Sequence, residues 1–250
     1  MIAWSRNGLA GWYQWLESRT GRWAMPVWFL GGMVALIVAT SLLGWLLASV
    51  VWGGDSTIDA GVAQWAADRR SDGLTAFFNV VTDIGDTITL LILSVAVGTV
   101  WRVKRGDWEG FEVLAGSYLG ALAIYAAVKR IVGRARPPLE IATGEVPGLS
   151  FPSGHTTGSA AVYTALVLLV IVMVRREAAK WVMVAATGVL VVLIAASRVY
   201  LGVHWLGDVL AGLVVGVTWA FWVVTPLYVR RRERGSPVTE EDSDRTHAQA

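Results

Sequence analysis

Residues 26–52 read PVWFLGGMVALIVATSLLGWLLASVVW, and no charged side chain occurs between Arg22 and Asp55. A helix needs roughly 20 apolar residues to cross ~30 Å of hydrocarbon, so this stretch is long enough to span a membrane. It also exceeds the core of a cleavable signal, and Trp45, Leu46 and Leu47 stand where small cleavage-site residues would lie. The span is therefore expected to be retained. Further charge-free windows follow at Thr87 to Trp101, Val113 to Val128, Val146 to Val174 (broken only by His155), Trp181 to Ser197 and Val209 to Val229. The second, third and fifth windows fall short of the crossing length, so their helices must draw on flanking residues, with Arg102 or Lys104 snorkelling to the surface. The reading is an all-α integral membrane protein, a six-helix transmembrane bundle.

Composition agrees. Apolar residues make up 55% of the 250 and charged residues only 16%, well away from the soluble average. With no Cys, disulfide frameworks, Cys-bound zinc, iron–sulfur sites and thiol catalysis are excluded. A net charge of +2 gives no case for a nucleic-acid partner.

Six crossings put both termini on one side, and the Lys/Arg bias names the side. The amino terminus, the second and fourth loops and the tail hold 14 of the 21 basic residues, from Arg6 to Arg245. Both termini are accordingly expected in the cytoplasm, and the third and fifth loops outside. Residues 1–24 set Trp4, Trp12, Trp15, Leu16 and Trp23 near helical spacing beside Arg, which suits either an interfacial helix on the cytoplasmic leaflet or a frayed terminus. Residues 25–230 form the six-span domain. The polar, acidic end of the chain, 231–250, reads as a disordered cytoplasmic tail. From Ser56 to Arg69, Ile58, Val62, Trp65 and Ala66 recur at 3.6-residue spacing, the mark of a short amphipathic helix on the outer face.

Ionisable side chains near membrane depth are costly, and those not explained as topology signals are functional candidates. Here they are Lys129, Arg134 and Arg136 after the third span, His155 at the start of the fourth, and Arg198, His204 and Asp208 between the fifth and sixth. All lie on the side poor in Lys and Arg. Lys129 and Arg136 are seven apart and share a helix face if the third helix runs that far, before Pro137 and Pro138 stop it. Ser153 and Gly154 open the fourth span, where free backbone amides make an anion site. His204 and Asp208 are four apart, a spacing that sets a carboxylate against an imidazole. Singly, each has a plain alternative: basic residues anchor helix ends, a His caps a helix, and Pro-Ser-Gly is a turn. Together they amount to three cations, a helix amino terminus, two imidazoles and a carboxylate, which fits a phosphate. Phosphoryl transfer needs charge on the equatorial oxygens, an in-line nucleophile and an acid for the leaving group, all present without a metal.

The pattern Lys129-x6-Arg136-Pro137, Pro152-Ser153-Gly154-His155 and Ser197-Arg198-x5-His204-x3-Asp208 resembles the three-part signature of the type 2 phosphatidic acid phosphatase family, whose site is shared with vanadium haloperoxidases. All eleven fixed positions match. The resemblance implies His204 as a nucleophile forming a phosphohistidine, Asp208 orienting it, and His155 as general acid and then base. It implies Lys129, Arg136, Ser153, Gly154 and Arg198 as the phosphate clamp, with no metal or other cofactor. Arg130 and Arg134 fall in the variable gap of the first motif and are expected only to support the others. The expected enzyme is a lipid phosphate phosphatase of the bacterial cytoplasmic membrane with its site facing outward, acting on phosphatidic acid or phosphatidylglycerol phosphate, or on undecaprenyl or another polyprenyl diphosphate. An anion transporter and a vanadate-dependent haloperoxidase would use the same cations. The complete acid, nucleophile and orienting set argues against the first, and the six-span body against the second, whose family branch is soluble.

Overall fold

The computed structural model describes residues 8–50, 57–138, 140–144 and 146–235. Trp4, Arg6, Ser56 and the tail 236–250 with His247 lie outside the described residues. Within them the regular elements are all helices: α1 (Leu9–Thr20), α2 (Ala24–Val50), α3 (Thr57–Asp68), α4 (Asp72–Ile84), α5 (Thr87–Arg105), α6 (Glu109–Val132), α7 (Gly154–Ile171), α8 (Glu177–Tyr200) and α9 (Leu206–Gly235), with a 3-10 turn at Gly21–Trp23. Six stretches are long and apolar enough to cross a membrane: α5, α6, α7 and α8, most of α9, and one within Leu9–Leu47 that contains most of α2.

Local chemistry sets the ends. The Asp86 carboxylate caps α5 by accepting from the Ile88 amide at 2.8 Å, and Gly106 closes the same helix in the left-handed region at φ 78°. Gly133, at φ 70°, ends α6 one turn after Lys129. The third helix therefore stops before Arg136, which lies beyond it, outside any helix, rather than on a shared helix face. Ser153 caps α7, its hydroxyl accepting from the Thr156 amide at 3.4 Å.

Helices α7 and α9 form the centre. Thr156 to Val162 are buried without interruption, and the small residues on this face let α9 approach closely. A methyl group on Gly216 would stand 2.6 Å from Ala160 Cβ and 2.9 Å from the Ala161 amide nitrogen. Around this pair, Ile124 and Val128 of α6 join Trp219 and Val223 of α9 in one core, with Phe29 and Met33 of α2 packed against it. Trp28 and Trp222 stack at 4.2 Å, each indole donating to the other's carbonyl at 2.9 Å, which ties α2 to α9. Outward faces carry Leu30, Val34, Val38, Val182, Val189 and Val214 in the open, as a surface solvated by lipid does.

Three further helices flank or separate the spans. α1 buries Ala10 and Tyr13 against Trp28 and Val229, while Trp12, Trp15 and Trp23 stay exposed. α3 exists as expected, but Ile58 and Trp65 point outward, and the face toward the bundle carries Asp59, Ala63 and Ala66. The reason is that apolar periodicity identifies the inward face only where the outside is water, and these positions are solvated by lipid or interface. α4 was not anticipated. Its exposed Leu74, Phe77 and Val80 continue the apolar surface of α3.

Because α7 and α9 meet through Gly216, a larger side chain there must force them apart. Gly216→Val is expected to lower stability by about 1–3 kcal/mol, the usual cost of overpacking. Gly188→Val, on open surface in α8, should leave the unfolding midpoint in detergent unchanged. Equal midpoints for the two variants would refute the packing argument.

Candidate active site

Antiparallel packing brings the end of α6, the start of α7, the end of α8 and the start of α9 to one end of the bundle, and with them every residue of the three sequence motifs. At the centre is Asp208, with no exposure at all. Its Oδ2 accepts from His204 Nδ1 at 3.2 Å, from the Trp205 amide at 2.9 Å and from the Ser150 hydroxyl; Oδ1 accepts from Arg134 Nη1 at 2.7 Å. Its backbone carbonyl accepts from the Ser153 amide at 3.1 Å, which joins the start of α9 to the cap of α7.

His204 lies in the turn before α9, not on the helix, so the four-residue step to Asp208 reaches across the helix start. An ionised carboxylate can only accept, so Nδ1 carries the ring proton and Nε2 presents a lone pair. Arg136 Nη1 lies 3.1 Å from that Nε2. Burial pulls the His204 pKa down to about 4; the Asp208 hydrogen bond and charge oppose the shift, while Arg136 and Lys129 add to it.

The three basic residues of the signature have neutral partners. Lys129 Nζ donates to the carbonyls of Leu149 at 2.6 Å and Ser150 at 3.2 Å. Arg136 donates to Gly148 O at 3.1 Å and Val203 O at 2.6 Å; burial lowers its pKa and Asp208 counters it. Arg198 is 7% exposed, donates to the Thr82 hydroxyl at 2.6 Å, and keeps a buried Nε with no hydrogen-bond partner among the described residues. None of the three forms an ion pair with a carboxylate among the described residues. One buried and two half-buried cations, hydrogen-bonded only to neutral groups, suit an anion.

His155, in the first turn of α7, lies within electrostatic range of Arg198, His204 and Arg136, and its Nε2 is 3.7 Å from Asp86 Oδ2. Both imidazoles thus belong to one site. Gly154 lies beside the Tyr125 ring, and with His155 it forms the first turn of α7, where amides have no intrahelical acceptor. Arg130 instead points to the exposed side, toward Ala126 O at 3.4 Å.

Several residues here carried no sequence signal. Ser150, Thr82, Asp86 and Asp59 each bond a motif residue or its support, and none falls in a motif. Asp59 stands in an amphipathic stretch whose spacing does not single it out. Arg134, expected only as support, pairs with Asp59 at 2.5 Å as well as with Asp208, and lies 5.4 Å from the Trp205 ring centroid.

Comparison with known proteins follows the same outline. The profile of the PAP2 superfamily matches residues 112–232. Phosphatidylglycerophosphatase B of Bacillus subtilis is 30% identical over 180 residues, 71% of this chain and 87% of that protein. Decaprenylphosphoryl-5-phosphoribose phosphatase of Mycolicibacterium smegmatis is 38% identical over 155 residues, 60% and 78% of the two chains. The crystal structure of the transmembrane PAP2 type phosphatidylglycerolphosphate phosphatase from Bacillus subtilis superposes with a TM-score of 0.69 at 25% identity, over 83% of this chain and 98% of that one. Aquifex aeolicus LpxE shares the fold, with a TM-score of 0.55 at 20% identity over 68% and 96% of the two chains. A profile lying over α6 to α9, which carry the motif residues, and a relative matched along most of its length together establish that the chain belongs to the PAP2 superfamily, among its membrane phosphatases.

Proposed function

We propose that the chain removes the terminal phosphate of a lipid phosphate through a phosphohistidine on His204. The observation that carries this reading is the trio Lys129, Arg136 and Arg198, hydrogen-bonded to neutral groups, with Arg136 Nη1 3.1 Å from the lone pair of His204 Nε2. A phosphate supplies the missing negative charge, and its oxygens suit the unpartnered Arg198 Nε and the amides at the start of α7. Ser153 and Gly154 complete the clamp.

The chemistry then follows. Nε2 attacks phosphorus while the bond to the lipid oxygen breaks, and His155 gives that oxygen its proton. Asp208 stabilises the positive charge that develops on the His204 ring. Water next attacks the phosphohistidine, passing a proton to His155, and inorganic phosphate leaves with both imidazoles restored. Three fixed cations stabilise the equatorial oxygens throughout, so the reaction needs no divalent metal.

A phosphatidylglycerol phosphate or phosphatidic acid type of substrate agrees with the Bacillus relative. The mycobacterial relative supports a second reading, a polyprenyl-linked phosphate, and polyprenyl diphosphate belongs to the same class. The positive-inside bias supports a site on the extracytoplasmic face, with both termini in the cytoplasm.

Purified protein should release phosphate from at least one lipid in a panel of phosphatidylglycerol phosphate, phosphatidic acid, undecaprenyl diphosphate and decaprenylphosphoryl-5-phosphoribose, in excess chelator. His204→Ala should lose at least about a thousandfold, the scale for a missing nucleophile; a variant that still turns over would sink this mechanism. The second expectation concerns protonation. Since burial holds the His204 pKa near 4, the ring stays neutral as pH falls through 6.5 and takes its proton only near 4. A folded state with that depressed pKa loses stability relative to the unfolded chain across this window. Nitrogen-15 spectra of labelled histidine should show the neutral Nδ1–H tautomer at pH 6, and a midpoint near 6.5 would contradict it. Third, the Cys-free chain permits a direct test of sidedness. Gly144→Cys should react with an impermeant maleimide in intact cells and Lys104→Cys only after lysis; the reverse pattern would invert the topology.

A further inference from the structure

Asp59 precedes Arg134 by 75 residues and belongs to no motif, yet it lies at the back of the site. It is 6% exposed on the inward face of α3, where its neighbours on that face are Ala63 and Ala66. A helix that merely covered the bundle would place an apolar residue there, because a buried carboxylate is costly unless fully partnered. This one is divided between two partners: Oδ2 accepts from Arg134 Nη2 at 2.5 Å, and Oδ1 from the Gly207 amide at 3.0 Å. Gly207 immediately precedes Asp208, and the other terminal nitrogen of Arg134 donates to Asp208 Oδ1.

We infer that Asp59 is a positioning residue for the nucleophile: it holds Arg134 and the first turn of α9 so that the Asp208 carboxylate stays in register with His204. The inference rests on His204 being the nucleophile, as proposed above. Two effects act together. Geometrically, Arg134 is pinned between Asp59, Asp208 and the Trp205 ring, whose indole donates to Ala135 O at 2.9 Å. The plane of Asp208 is set by Arg134 on Oδ1, and that plane aims Oδ2 at His204 Nδ1. Electrostatically, Asp59 shares the charge of Arg134. Without it the guanidinium would act on Asp208 alone and weaken the negative field at the imidazole, at the moment the ring gains positive charge. Asp59 makes no contact with Lys129, Arg136 or Arg198 among its hydrogen bonds and ion pairs, so its loss should touch the chemical step and spare substrate binding.

Asp59→Asn keeps the shape and can still accept from the Gly207 amide while removing the charge. It is expected to lower kcat on the order of tenfold, the scale for losing one outer orienting partner. KM should stay within about twofold, the signature of an interaction used only in the transition state. The His204 ring should also titrate at lower pH than in wild type. In an Arg134→Gln background, adding Asp59→Asn should change kcat by less than about twofold, since coupled residues are not additive. Ile58→Ala, on the exposed face of the same helix, should leave kcat unchanged. An unaltered kcat and ring titration in Asp59→Asn overturns the inference, as does an additive loss in the double variant. Failure of Asp59→Asn to give folded, monodisperse protein overturns it too, by assigning the residue to the fold. Where only the double variant fails to fold, the ring titration of the single variant decides. His204→Ala run alongside separates the two readings: activity there sinks the nucleophile, whereas an inactive His204→Ala beside a fully active Asp59→Asn sinks only the role of Asp59.

Discussion

A carboxylate sealed from solvent can exist only if the protein supplies its solvation, and Asp208 takes that solvation from Arg134, Ser150, the Trp205 amide and His204. The penalty for burying an unpaired ion is several kcal/mol, so each donor is held in place by the need to avoid it. Two of the donors, Arg134 and Ser150, come from the irregular stretch between α6 and α7. Connections longer than about 12–15 residues without regular structure are uncommon in compact domains and usually functional. This one is anchored at both ends by the same residue, since Asp208 also receives the Ser153 amide through its own carbonyl. The stretch that carries Arg136 and delivers the backbone to Lys129 is thus ordered by the carboxylate that orients His204.

The opposite imbalance defines the front of the site. Lys129, Arg136 and Arg198 are solvated by carbonyls, a hydroxyl and an imidazole, which do not cancel their charge, and the Arg198 Nε is left without a partner among the described residues. Arg134 shows what the fold does with a cation that it neutralises: it gives it two carboxylates. The contrast between one neutralised and three uncompensated cations within a single cluster separates a structural ion pair from a binding site. The low dielectric around them strengthens their pull on an anion and makes their own burial expensive, so a charged ligand returns free energy that the folded chain has had to forgo.

How far this was legible from sequence depends on what kind of pattern each part leaves. Spans leave charge-free windows, and six were readable, although α6 and α8 extend beyond theirs by recruiting Glu109, Glu177 and other flanking residues. The motif residues were readable because chemistry demands those residue types at fixed spacing. Helix boundaries at the site were not: Gly133 ends α6 early, and His204 sits ahead of α9. The periodicity of α3 names no inward face, because Ile58 and Trp65 of the apolar set point outward while Ala66 is buried. Asp59, Thr82 and Asp86 were invisible for a different reason. Each acts across a long sequence separation, and a single acidic or hydroxyl residue in an amphipathic stretch has no spacing to betray it.

Those three residues share a further property. The superfamily profile begins at residue 112, and all of them precede it. Yet each touches a different part of the candidate site: Asp59 on α3 pairs with Arg134, Thr82 on α4 accepts from Arg198, and Asp86 at the cap of α5 faces His155. The motif residues thus lie within the profile, and side chains that contact them come also from α3 to α5, ahead of it. Such an arrangement lets the region that meets the lipid, with its exposed Ile58, Trp65, Leu74 and Phe77, change while the reacting groups stay constant. The match to phosphatidylglycerophosphatase B, over 71% of this chain, is longer than the profile itself.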